Sequence, residues 1–183
     1  MINGAVNTIA TIIGLLGAEY GFGINATSLF GTMAIVGGVV GSGVFGAIVE
    51  YRKNYKTVIV VLSFFAVVIP GILLVSFDSS EVWFAAIMSF FVGFIGISGL
   101  PLGLDFAVEL TYPISESVSG GLMMTSMNLF GALFSIACSA LIGSLPENHM
   151  GSKLSAVILT LSFVISFVIL LFVENDLRRI KLQ

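Results

Sequence analysis

Apolar residues run through this chain in six long blocks, and polar residues gather in the short gaps between them. The blocks cover about residues 2–18, 28–49, 57–77, 82–105, 119–145 and 154–173. A helix needs about 20 mainly apolar residues to cross the hydrocarbon core of a bilayer, so each block reaches or approaches one crossing. The gaps carry Glu19 to Asn25, the charged run EYRKNYK, the acidic turn Asp78 to Glu81, and the polar tail NDLRRIKLQ. The first block is short, with Asn3, Asn7, Thr8 and Thr11 in its first half. It has no basic flank and no A-x-A-like cleavage site after it, so it does not read as a signal peptide. The pattern predicts an all-α membrane protein with six transmembrane helices in one domain, residues 1–183.

Composition removes the soluble alternatives. Charged residues make up 9% of the chain and hydrophobic ones 57%, where a soluble domain carries about a quarter charged. Cys138 is the single cysteine and lies inside an apolar block, so no disulfide forms within the chain. His149 is the single histidine, in a polar gap, and the set of partners that a metal site would need is not expected. No basic patch suggests nucleic acid. No His–acid pair, zinc spacing, phosphate-cradling loop or nucleophile elbow appears, so neither enzyme activity nor a cofactor is expected.

Charge sets an orientation. If six helices alternate, Arg52, Lys53, Lys56, Arg178, Arg179 and Lys181 fall on one side and Lys153 on the other. By the positive-inside rule the first side is cytoplasmic, with both termini, and the gap between the fourth and fifth blocks shares it.

Glycine is frequent and patterned. Gly38, Ser42 and Gly46 recur every four residues in the second block, beside Gly37 and Gly41. Such rows let helix backbones approach closely in lipid, either as plain tight packing or as smooth surfaces for sliding. Pro101, between Gly99 and Gly103, predicts a kink near the cytoplasmic third of the fourth helix.

Two stretches carry more than topology. In the second gap, Gly46-Ala-Ile-Val-Glu50-Tyr-Arg52-Lys53-Asn-Tyr-Lys56 places an acid four residues after a glycine and before a basic turn. This resembles the loop that latches neighbouring helices on the inner face of major facilitator superfamily transporters. The stretch LPLGLDFAVELTYPISESVSGGL places Asp105 and Glu109 one helical turn apart, then Tyr112-Pro113 and Glu116. Together with KNYK and DLRR, it resembles the feline leukaemia virus subgroup C receptor-related transporters, solute carrier family 49 of that superfamily. Their string is close to LPLGxEFAVExTYPxSEGTSxGL, so Pro101, Phe106 to Glu109, Thr111 to Pro113, Ser115 and Glu116 match it.

The resemblance covers the chain in order and corresponds to the second half of the family's twelve helices, with Met1 falling inside the seventh. It implies the C-terminal half of a major facilitator bundle, as a fragment or as a half-transporter whose partner is the missing N-terminal six-helix half. It also implies transport of a small organic metabolite, choline or ethanolamine, by alternating access between two halves. Haem or another amphipathic metabolite is the alternative substrate, and a non-transporting receptor or scaffold subunit the alternative class. The lipid bilayer and a small-molecule substrate are the further partners expected.

The family contributes a Tyr from its seventh helix and a Gln from its eleventh to a pocket whose Trp lies in the other half. Asn7 stands at the Tyr position and Asn128 at the Gln position, and both depart from the family's pattern. Met124, one turn before Asn128, offers a soft wall. The expected substrate contacts are therefore Asn7, Met124 and Asn128, with interhelical hydrogen bonding as the competing role for the two amides. Glu50, Arg52, Lys53, Asp105, Glu109 and Arg178 form the expected cytoplasmic gate. An ion-pair network is favoured there over proton coupling, because basic residues can reach both Asp105 and Glu109.

Overall fold

A computed structural model describes residues 2–52, 55–79, 81–111, 113–145 and 149–172, with nothing said of the Arg52 side chain. These residues form seven helices: α1 (Ile2–Glu19), α2 (Ile24–Arg52), α3 (Tyr55–Asp78), α4 (Val82–Gly96), α5 (Gly99–Thr111), α6 (Glu116–Ser144) and α7 (Met150–Phe172). α4 and α5 together make one crossing, so six helices are long and apolar enough to span a bilayer. Among the described residues there is no strand. The chain is an all-α, multi-pass integral membrane protein.

Three helix pairs organise the bundle: α2 with α4, α1 with α6, and α3 with α7. The α2–α4 pair is the tightest, and glycine makes it so. A Cβ on Gly93 would overlap the Ala34 carbonyl, and one on Gly37 or Gly41 would overlap the carbonyl of Phe90 or Phe94. Lipid tails are as apolar as leucine, so in a membrane such backbone contact, not hydrophobic burial, holds helices together. Only part of the glycine pattern serves this seam. Gly38 faces the Ile97 side chain, while a Cβ on Gly46 would meet nothing within 4 Å.

Small hydroxyl residues fill the other interfaces. Ser63, Ser89, Ser155 and Ser166 are buried and each donates to a carbonyl four residues back in its own helix, at 2.7–2.8 Å. Back-bonding of this kind satisfies a hydroxyl where no water is present. α1 and α6 cross where Gly4 meets Gly131: a Cβ on Gly4 would stand 3.0 Å from the Gly131 nitrogen. Beside them the Thr8 hydroxyl donates to both Gly4 O (3.0 Å) and Gly131 O (3.2 Å).

The fourth crossing breaks at Ile97 and Ser98, one turn before Pro101. Pro101 has no N–H to give the carbonyl four residues upstream and its ring crowds that carbonyl, so the disturbance falls at Ile97. There the chain tightens, with Leu100 N donating to Ile97 O at 3.1 Å. The fully buried Ser98 hydroxyl covers the loosened Phe94 and Ile95 carbonyls at 2.7 and 3.1 Å. Beyond the break α5 runs to Thr111, past the expected end at Asp105.

Candidate functional site

α1 and α6 share an open face. Asn7 and Thr11 on α1 are exposed, as are Met124, Thr125 and Asn128 on α6, which is the least buried of the six spans. The Gly4–Gly131 crossing brings the two helices together here, and Asn7 Cβ lies 3.7 Å from where a Gly131 Cβ would stand. Gly131 follows Asn128 by three residues, so both amides belong to the same helix pair. An amide on a spanning helix is costly against lipid and needs water or a protein partner. This face therefore belongs against a water-filled space or another protein surface.

A cavity of about 400 Å³ adjoins it. Leu62, Phe106, Met123, Met127 and Leu170 are among its apolar lining, and Asn3, Ser63, Ser126 and Ser166 are its polar points. Asn7, Met124 and Asn128 do not line it. Asn3 does, one turn before Asn7, so α1 passes from the cavity to the open face. Met123 and Met127, four residues apart on α6, were missed from the sequence because a methionine pair at helical spacing reads as ordinary packing. The cavity can take an apolar body, while the open face can take a small polar or cationic head.

The expected gate is partly visible. Glu50 and Asp105 are exposed and Glu109 is half-buried. Glu109 Oε2 is buried and has no hydrogen-bond partner among the described residues. The Arg52 side chain, Lys53 and Arg178 lie outside the described residues. The α5–α6 turn that follows is tied by Thr111 and Ser119, whose hydroxyls are 2.5 Å apart.

At the other end of the bundle α1 stops in a Schellman turn. Gly21 has φ 77°, Phe22 N donates to Gly17 O at 2.8 Å, and Gly21 N donates to Ala18 O at 3.2 Å. A left-handed residue is needed at that point, and glycine takes it without a Cβ clash. The turn brings Glu19 to His149, with Oε1 3.4 Å from Nδ1, so the His–acid pair that the sequence does not display exists in space. Among the described residues no cluster of three or more His, Cys, Asp or Glu could hold a metal.

No family model matches the chain. Its relatives do. It is 33% identical over 182 residues to the choline/ethanolamine transporter flvcr2a of Danio rerio, covering 97% of this chain and 37% of that protein. It is 30% identical over 151 residues to the choline/ethanolamine transporter FLVCR2 of Homo sapiens, covering 82% of this chain and 28% of that protein. This chain is a homologue of the feline leukaemia virus subgroup C receptor-related transporters, matching their C-terminal half. An uncharacterized MFS-type transporter of Caenorhabditis elegans is 32% identical over 155 residues, 82% of this chain and 25% of that protein. The chain thus spans about a third of the length of the curated relatives it matches. The six crossings are those of the C-terminal half of a major facilitator bundle.

Proposed function

We propose that these six helices act as one domain, one wall of a transporter that moves a small cationic organic metabolite, choline or ethanolamine, by alternating access. The observation that carries this reading is the exposure of Asn7 and Asn128 together on the α1–α6 pair, in a chain whose relatives are named choline/ethanolamine transporters. An N-terminal six-helix half would face that surface and close a water-filled path, removing the cost of two amides in lipid. Asn7, Met124 and Asn128 would then contact substrate. Amide oxygens accept from an ammonium-bearing or hydroxyl-bearing head, and methionine adapts to its methyl groups. Where the family has a Tyr, Asn7 offers no ring, so the cation–π attraction would come from the other half.

The side that carries Arg52, Lys53, Lys56 and the tail would be cytoplasmic, with both termini. Glu50, Asp105 and Glu109 would pair there with Arg52, Lys53 and Arg178 as an inner gate. The half-buried Glu109, with one oxygen unsatisfied among the described residues, supports a charge waiting for a cation.

A second reading has its own support. The apolar cavity beside the open face, walled by Phe106, Met123 and Met127, suits haem or another amphipathic metabolite better than a compact cation. Uptake of labelled choline into cells or proteoliposomes holding these six helices joined to an N-terminal six-helix half, with Asn128→Ala as control, separates the readings. Choline uptake that Asn128→Ala reduces supports the first. Haem flux without choline flux supports the second, and no flux of either supports a scaffold.

A further inference from the structure

An apolar groove lies away from the α1–α6 face, on the seam between α3 and α4. Val68, Gly71, Ile72 and Val75 of α3 form one side of it, and Phe84 and Met88 of α4 the other. The α3 residues recur at three- and four-residue spacing, so they make one continuous stripe along the helix. At Gly71 the stripe has no side chain, and a Cβ there would meet nothing within 4 Å. The groove has a volume of about 530 Å³, within the range of small-molecule sites. Val68, Gly71, Ile72, Val75 and Phe84 are exposed on helices long and apolar enough to span a bilayer, so the groove opens toward lipid.

Depth and charge select the occupant. Val68 and Asp78, the last residue of α3, are ten residues apart, about 15 Å along the helix. The hydrocarbon core is about 30 Å thick, so the groove runs through the depth of one leaflet. At its end lies the α3–α4 turn, Asp78-Ser-Ser-Glu81, with two acids and no base. Asp78, Glu81 and Trp83 are all exposed. Tryptophan belongs to the membrane–water interface, which sets this turn at headgroup level. Two carboxylates there repel a lipid whose head is a net anion and attract one whose head ends in an ammonium. The exposed indole face adds cation–π attraction for the same group.

We propose that the α3–α4 groove holds one zwitterionic phospholipid, with an acyl chain against Gly71 and Phe84 and its ammonium beside Asp78, Glu81 and Trp83. The groove lies on other helices than Asn7 and Asn128, so this lipid is not the transported substrate, and the site stands whatever that substrate is. The seated chain fills the seam of α3 with α4, the helix that Gly93 fits against α2. The lipid is thereby a packing element of the bundle, chosen by its head and held by its tail.

The test is native mass spectrometry of the purified chain, released from detergent micelles supplied with equal amounts of phosphatidylcholine and phosphatidylglycerol. The wild type should retain one lipid, with phosphatidylcholine favoured by about 2- to 5-fold, the range expected of exposed charge pairing. Gly71→Leu meets no neighbour at its Cβ, so it should fold, and it should lose most of the adduct because the leucine takes the place of the acyl chain. The double variant Asp78→Asn, Glu81→Gln should keep the adduct and lose the preference. A Gly71→Leu protein that melts like the wild type and retains the same lipid overturns the site. So does a wild type that retains no lipid, or that takes phosphatidylglycerol as readily as phosphatidylcholine, or a preference that survives loss of both acids. If Gly71→Leu does not fold, the lipid ratios of the wild type and the acid variant decide.

Discussion

Gly93 of α4 lies so close to Ala34 of α2 that a side-chain carbon on the glycine would overlap the alanine carbonyl. The neighbouring atoms are backbone and cannot rotate away. Gly93→Val is therefore expected to destabilise the protein by about 1–3 kcal/mol or more through overpacking. Gly43, on the same helix as Ala34, faces open space. Gly43→Ala should be neutral or stabilising by up to about 1 kcal/mol, the ordinary gain of alanine over glycine within a helix. Thermal melts of the two variants in detergent check the contrast.

Ser98 holds the break in the fourth crossing. Its hydroxyl covers two carbonyls that the disturbed helix leaves open. Ser98→Ala should cost about 1–3 kcal/mol, the penalty for a buried polar group left without its partner. Ser98→Thr should retain most of the stability, since it keeps the hydroxyl. Denaturation midpoints measure both.

The sequence resemblance sets Asn7 at a position expected to carry an aromatic ring, and its side chain is exposed, so a larger residue fits. On the choline reading, Asn7→Tyr should tighten apparent substrate affinity. A cation–π contact of about 0.5–2 kcal/mol corresponds to about 2- to 30-fold in KM. Radiolabelled choline uptake against concentration gives the answer; an unchanged KM would show that α1 does not meet the cation.

Glu109 carries the gate prediction. Glu109→Lys should abolish or strongly reduce transport, because it sets like charges against Arg52, Lys53 and Arg178 if those are its partners. Glu109→Gln should reduce transport less, keeping the shape and losing the charge. Full uptake by a folded, membrane-inserted Glu109→Lys protein would disprove the inner gate.

The six crossings were legible because lipid demands long apolar runs, and no loop can imitate one. Their ends were less so. α2 begins at Ile24, before its apolar block, since Ile24 to Thr27 extend the helix out of the Gly21 turn. Pro101 announced a kink in the fourth crossing, and the break falls one turn before it, at Ile97 and Ser98, because a proline acts on the carbonyl one turn upstream. For the site, Asn7 and Asn128 stood out as amides in apolar surroundings, and the structure adds that both are exposed on one helix pair. Glu19 and His149 could not be joined by inspection: they sit in different gaps, and only the α1 turn and the packing of α7 bring them together. The choice of Gly37 and Gly41 over Gly46 as contact points was equally hidden, since all three lie on small-residue rows and only the position of α4 separates them.

The placement of hydroxyl bonds sorts the seams of the bundle by what it takes to shift them. Thr8 donates across to Gly131, and Ser135 to Thr8, so moving α1 against α6 breaks hydrogen bonds in a place without water to replace them. Ser42 and Ser89 donate within their own helices, and among the described residues α2 and α4 exchange no side-chain hydrogen bond. Their contact is a fit of shapes, glycine against carbonyl, and it holds in one register: a shift of one turn would bring the Cβ of Ser89 or Ile97 to the place of Gly93 against the Ala34 carbonyl. The bundle thus joins its helix pairs in two ways, α1 to α6 by hydroxyls that reach across and α2 to α4 by steric register alone, so the first seam is weakened by losing a hydroxyl and the second by gaining a methyl.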